Sequence, residues 1–130
     1  MAMPKEINPG ELGAEIAKQI GKYNDDVKKA IEKETRSTAR KLKNEIKDNS
    51  PELTGDYKAG WSYSTSKKHG KIVITVYNKD KPQLTHLLEK GHAIAGGTGR
   101  VKAYKHIGPA EKKYISIYDK RIEEIIKNGG

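Results

Sequence analysis

Apolar residues recur along the first third of the chain at Leu12, Ile16, Ile20, Tyr23, Val27 and Ile31, with spacings of four and three. They resume at Ala39, Leu42 and Ile46 after the polar run Thr35-Arg36-Ser37-Thr38. That period predicts an amphipathic helix. Asn8-Pro9-Gly10-Glu11 supplies a start, with Asn8 as N-cap, Pro9 at the first helical position and Glu11 closing a capping-box-like pair. Asp48-Asn49-Ser50-Pro51 supplies the stop, so the helix is expected over 8–48. Gly13 and Gly21 each cost about 1 kcal/mol relative to Ala without abolishing the pattern. A continuous helix of this kind is on the order of 55 Å long, whereas a globule of this chain length has a radius of gyration of about 14 Å. It must break near Thr35–Thr38 or pack its far half on another subunit.

The pattern then changes period. Leu53-Thr54-Gly55 reads as a turn, and Trp61, Tyr63 and Thr65 alternate with polar residues as a half-buried strand does. Ser66 to Gly70 supplies a hairpin turn. Lys71-Ile72-Val73-Ile74-Thr75-Val76-Tyr77 is the strongest strand, rich in β-branched residues. After the turn Asn78–Pro82, Gln83 to Lys90 predicts a short helix with Gly91 at its C-terminal cap. Gly96-Gly97-Thr98-Gly99 predicts a loop over 93–100, and Val101 to His106 an extended segment able to pair with the hairpin. Pro109 opens a last helix over 109–127 with the stripe Ile115, Tyr118, Ile122, Ile125 and Ile126. The fold class expected is α+β in one domain over 1–130. A long N-terminal helix precedes a region, 57–106, holding a small antiparallel sheet (the hairpin plus a third extended segment), a short helix and the glycine-rich loop. The C-terminal helix is expected to pack on the sheet.

Composition makes that core small. Hydrophobic residues are 34% of 130, there is no Phe, and mean hydropathy is −0.87, so a monomer buries little apolar area for its length. With no Cys, disulfides and thiolate chemistry are excluded. No apolar run reaches the length of a membrane span or signal-peptide core, and a soluble protein made inside the cell is expected. The net charge of +9 is uneven along the chain: residues 51–105 carry 10 Lys/Arg against 4 Asp/Glu, and residues 1–50 carry 11 against 9. Such a surplus attracts DNA or an acidic protein surface.

Three histidines invite chemistry, and none meets its requirements. His86 and His92 are six apart with Gly91 between Glu89 and His92, unlike the zinc-protease helix, whose histidines lie four apart. Gly96-Gly97-Thr98-Gly99-Arg100 lacks the Lys-Ser/Thr of a phosphate-binding loop and precedes an extended segment rather than a helix. No Ser/His/Asp order, catalytic Cys or carboxylate pair stands out. No enzyme, cofactor or metal is expected. The alternative is a small basic nucleic-acid-binding protein, or a toxin-like ribonuclease with His86, His92 or His106 as base.

The order of parts resembles the small head–tail joining (tail-completion or neck) proteins of long-tailed bacteriophages. The residues that carry the likeness are Ser50-Pro51-Glu52-Leu53-Thr54-Gly55, Lys58-Ala59-Gly60-Trp61, Val76-Tyr77-Asn78, Gln83 through His92, Gly97 to Arg100, and His106-Ile107-Gly108-Pro109-Ala110-Glu111. Family members usually carry proline where Lys105 stands and a bulkier polar residue where Gly108 stands. The resemblance implies a structural protein of the virion, assembled in the host cytoplasm. It would form a homo-oligomeric ring, six copies being the expected number, between the head connector or stopper and the tail tube or terminator, around the DNA channel. Residues 93–105 are then the candidate docking or lumen loop, with Gly96, Gly97 and Gly99 lending freedom and Arg100, Lys102 and Lys105 the charged contacts.

Overall fold

The structure, a computed structural model, describes residues 12–52, 55–90, 92–93, 100–101 and 103–130. Its elements in chain order are β1 (Leu12–Gln19), α1 (Asp25–Asn49), α2 (Asp56–Ala59), β2 (Trp61–Lys68), β3 (Lys71–Asn78), α3 (Gln83–Lys90), β4 (His92–Ala93), β5 (Arg100–Val101) and α4 (Gly108–Asn128). The α+β class stands, with a long helix, a three-stranded antiparallel sheet, a short middle helix and a C-terminal helix.

The hairpin forms where the alternation places it. His69 and Gly70, at φ 54° and 72°, make a two-residue turn of the mirror-image type that matches strand twist. In β3, Ile72, Ile74, Val76 and Asn78 are buried in strict alternation. The sheet order is β1-β3-β2, and Ile74 faces Ile16 on one side and Thr65 on the other.

Three expectations are corrected here. The first is the helix over 8–48. Its start signal at Asn8–Glu11 lies outside the described residues, and Leu12–Gln19 is a strand. Leu12, Ile16 and Ile20 fit a spacing of four, but Ala14 and Ile16 equally fit a spacing of two. The open side of β3 decides between them, because its backbone groups need partners. A β-bulge falls between Leu12 and Ala14. There Gly13 lets the chain pass the Trp61 ring: a Cβ at Gly13 would lie 2.6 Å from Trp61 Cζ3. The helix begins at Asp25, where Asn24 Oδ1 accepts from Val27 N at 2.9 Å, and runs unbroken through Thr35–Thr38 to Asn49. At roughly 37 Å it overhangs nothing, which withdraws the overhang as an argument for assembly.

The second correction concerns the third strand, which is β1 and not Val101–His106. Arg100 and Val101 pair with Ala93 and His92 instead, and residues 103–105 are irregular. The third concerns α4, which packs chiefly on α1 rather than on the sheet. The layers are therefore sheet, α1, α4. Helix α1 is covered on both sides: Val27, Ile31, Leu42 and Ile46 are buried, as are Tyr118 and Ile122 of α4. This sandwiching explains the polar run that looked like a helix break. Thr35 is fully buried and donates to Ile31 O at 2.7 Å, so its oxygen accepts from Tyr118 O–H at 2.7 Å. Ion pairs Glu45–Lys113 and Glu34–Arg121 flank the seam between the helices.

Candidate functional site

The segment expected to dock, residues 93–105, lies between α3 and α4. Of its expected contacts, Gly96, Gly97, Gly99 and Lys102 lie outside the described residues. Arg100 has a described backbone, paired with Ala93. Lys105 is exposed, with Nζ 3.4 Å from Glu89 O. Of the six, the structure describes Arg100 and Lys105. It also defines the base on which the segment stands.

That base is built on Glu89, near the end of α3. Its carboxylate accepts backbone N–H bonds from His106 at 2.9 Å, Ile107 at 3.0 Å and Gly108 at 2.8 Å. The N-cap residue of α4, Ile107, has no side-chain acceptor to offer, so Glu89 satisfies donors the helix leaves open, at the positive end of its dipole. Burial works against ionisation of Glu89, but the three N–H donors and His106 outweigh it and hold the carboxyl below the ordinary value. Glu111, one turn into α4, is pushed the other way by burial and by the Glu89 charge. Tyr104 N donates to Leu88 O and completes the closure.

Behind the base lies a buried polar chain. His106 is 2% exposed. Its Nδ1 faces only acceptors, Tyr104 O at 2.8 Å and Glu89 Oε1 at 3.3 Å, so the network assigns the proton to Nδ1. Nε2 then accepts from Tyr57 O–H at 2.7 Å. Burial pushes the Tyr57 phenol up to about 12, with the Glu89 charge adding and the nearby Thr85 hydroxyl opposing. Thr85 Oγ1 is buried and makes no hydrogen bond of good geometry. Trp61 stacks edge-on against both Tyr57 and His106 and donates Nε1 to Ser50 Oγ at 2.7 Å; Ser50 in turn donates to Ile46 O. Asn78 ties in the sheet, donating to Tyr57 O at 2.7 Å and accepting from Asp80 N and Lys81 N.

Both imidazole nitrogens of His106 are engaged within the fold, so in this structure the residue cannot take a proton from an external substrate. The cluster fastens α2, β2, β3, α3 and α4 to one another. An open depression of about 480 Å³ beside Asn49, Ala103, Tyr104 and Lys105 is too shallow to enclose a small molecule. Among the described residues no group of three or more His, Cys, Asp or Glu could hold a metal ion, and no helix is long and apolar enough to cross a membrane.

Along the chain Ser50, Trp61, Asn78, Glu89 and Gly108 are scattered pattern elements and His106 is a candidate base; in space they form one network with Tyr57 or border it. Nothing in the one-dimensional pattern joins Glu89 to residues 106–108. A glycine at 108 is the only local hint, since a Cβ there would lie 3.1 Å from Glu89 Oε2.

The geometry defines a small α+β module whose buried Glu89–His106–Tyr57 network ties its elements together. Residues 14–91, well over half the chain, match a family model described as "Bacteriophage HK97-gp10, putative tail-component". The chain belongs to this HK97-gp10-like family, and it is a phage tail-related, virion-associated structural protein. No curated protein and no solved structure matched the chain.

Proposed function

We propose that this protein acts at the junction between capsid and tail, as a ring of identical subunits that joins the head connector to the tail tube and surrounds the DNA channel. Membership of a tail-component family carries the reading. The base built on Glu89 supports it physically. Residues 88–90 and 103–108 are cross-linked by backbone and carboxylate hydrogen bonds, and the intervening segment carries Gly96-Gly97-Thr98-Gly99 between Ala93 and Arg100, which pair with each other. A glycine-rich connection on a fixed base suits a contact that orders on meeting a partner. Arg100, Lys102 and Lys105 are its charged contacts.

Ring formation with the partner is the decisive property. Electron microscopy of the protein mixed with its cognate connector should show closed rings on the connector. Deleting Ala95–Gly99 should leave the far-UV spectrum and thermal midpoint in place while abolishing joining. Unchanged joining by the deletion variant would remove the loop from the interface, and absence of any complex would refute the junction role.

A further inference from the structure

We infer that the solvent face of α1 binds the phosphate backbone of duplex DNA. Counted along the chain, residues 1–50 are nearly balanced, with 11 cations against 9 anions. Folding separates the signs. On α1, Lys29, Lys33, Arg36, Arg40, Lys43 and Lys47 follow one another at spacings of four, three, four, three and four, and so share one face. Four of the six are exposed and Lys43 and Lys47 partly so. The buried positions Val27, Ile31, Thr35, Thr38, Leu42 and Ile46 occupy the opposite face.

The acids of α1 beyond its first turn lie off this face. Glu32 is turned to Lys67 of β2 at 2.8 Å, Glu34 to Arg121 of α4 at 3.5 Å, and Glu45 to Lys113 of α4, while the fourth, Asp48, is exposed beside Lys47 about 100° round the helix from it. Asp25, four residues before Lys29, ends the row with one negative charge at the helix start, where the dipole favours it, and Asp26 stands beside it. None of the six stripe cations lies within 4.0 Å of a carboxylate oxygen among the described residues. Lys43 instead stands 5.9 Å over the ring of Tyr63. The outer surface of α4 offers the contrast, for there Asp119, Lys120, Arg121, Glu123 and Glu124 mix signs and Arg121 pairs with Glu124.

Six cations in an unbroken row repel one another at five successive contacts of three or four residues, so the free protein carries a strain that a polyanion relieves. The stripe runs about 27 Å along the helix axis, at 1.5 Å per residue. A duplex presents one phosphate per roughly 1.7 Å of its own axis, so every cation of the row has an anion within reach of a helix laid along the DNA. An acidic protein partner fits less well. Protein interfaces deplete lysine and seat aromatic or aliphatic anchors at their centre, whereas this row holds no apolar residue between Lys29 and Lys47. The surface reads charge and carries no fork of side chains arranged for base edges, so the binding is sequence-independent. The inference adds a DNA-contacting surface to the proposed junction role, but the isolated chain suffices to test it.

The test is fluorescence anisotropy of a labelled 25-base-pair duplex of arbitrary sequence, titrated with the full chain at several salt concentrations. Binding should weaken with a slope of log K against log salt near −4 to −5 if about five of the six cations meet phosphates. The triple variant Lys33→Gln, Arg36→Gln, Arg40→Gln should flatten the slope by about 2.7 and lower affinity on the order of 100-fold at 0.1 M salt. Its thermal midpoint should be unchanged or raised, because like-charge contacts disappear. A control with Lys112→Gln and Lys120→Gln on α4 should bind as wild type does. The inference is overturned if the wild type fails to bind duplex at low salt, if the triple variant binds undiminished, or if polyglutamate displaces the labelled duplex at lower charge concentration than unlabelled duplex does, which would assign the face to an acidic protein. Ring formation on the connector by the triple variant is read separately, so loss of DNA binding with rings intact separates this inference from the junction role.

Discussion

The substitution Glu89→Gln tests the central fastening of the fold with almost no change of shape. In the wild type one carboxylate serves three N–H donors at 2.8–3.0 Å and touches His106 Nδ1. Glutamine keeps one acceptor oxygen and turns an amide N–H₂ toward donors, so at least one backbone N–H loses its partner, at about 1–3 kcal/mol. Loss of the negative charge at the α4 N-terminus costs a further 0.3–1 kcal/mol or so. Relief of Glu111, whose carboxyl feels the Glu89 charge, gives part of this back. The net expectation is about 2–3 kcal/mol, or roughly 10 °C in thermal midpoint for a chain of this size. Acid provides the second readout. The folded-state pKa of Glu89 is depressed from 4.5, so its contribution is complete above that value and is lost as pH falls through the folded value. The gap between wild type and Glu89→Gln, measured by calorimetry or circular dichroism, should therefore be widest near pH 7 and shrink toward pH 3. A gap under about 1 kcal/mol at neutral pH, or one that acid leaves unchanged, would refute the role assigned to Glu89.

Other consequences can be measured the same way. Thr35→Val removes the acceptor for Tyr118 O–H in a buried seam, and urea denaturation should show a loss of about 1–3 kcal/mol; adding Tyr118→Phe should recover much of it, and a purely additive double variant would contradict the pairing. Gly13→Ala drives a methyl into the Trp61 ring at 2.6 Å, costing roughly 1–3 kcal/mol with a shift in tryptophan emission; unchanged emission and stability would show that the bulge absorbs it.

Much of this architecture is legible in the residues themselves. The β-branched run of β3, the paired turn residues before it, the Gln83–Lys90 helix and the proline opening α4 all follow from local rules, because each element is set by its own neighbours. The failures have one cause, which is that partners distant in sequence decided the outcome. Leu12–Gln19 carries both periods, and only the vacant side of β3 selects the strand. The true helix start, Asn24 followed by Asp25 and Asp26, is a good local signal that the longer apolar stripe overrode. Thr35 and Thr38 resemble a break because a polar residue buried between two layers cannot be recognised before the second layer is known. The Glu89 base joins residues 17–19 positions apart through backbone donors, which no side-chain pattern reports. The separated charge on α1 was available from the helical period alone, but block counts along the chain average it away.

The hydroxyl seam and the Glu89 clasp also say where the protein can be cut. The family-model match ends at residue 91, while Tyr118, Ile122 and the 106–108 amides that complete the interior come later. A fragment trimmed to the matched stretch would bare one flank of α1 and leave a carboxylate and a threonine without their mates. The matched stretch stops in the middle of a cooperative unit, and its expression alone should yield an aggregating or molten product.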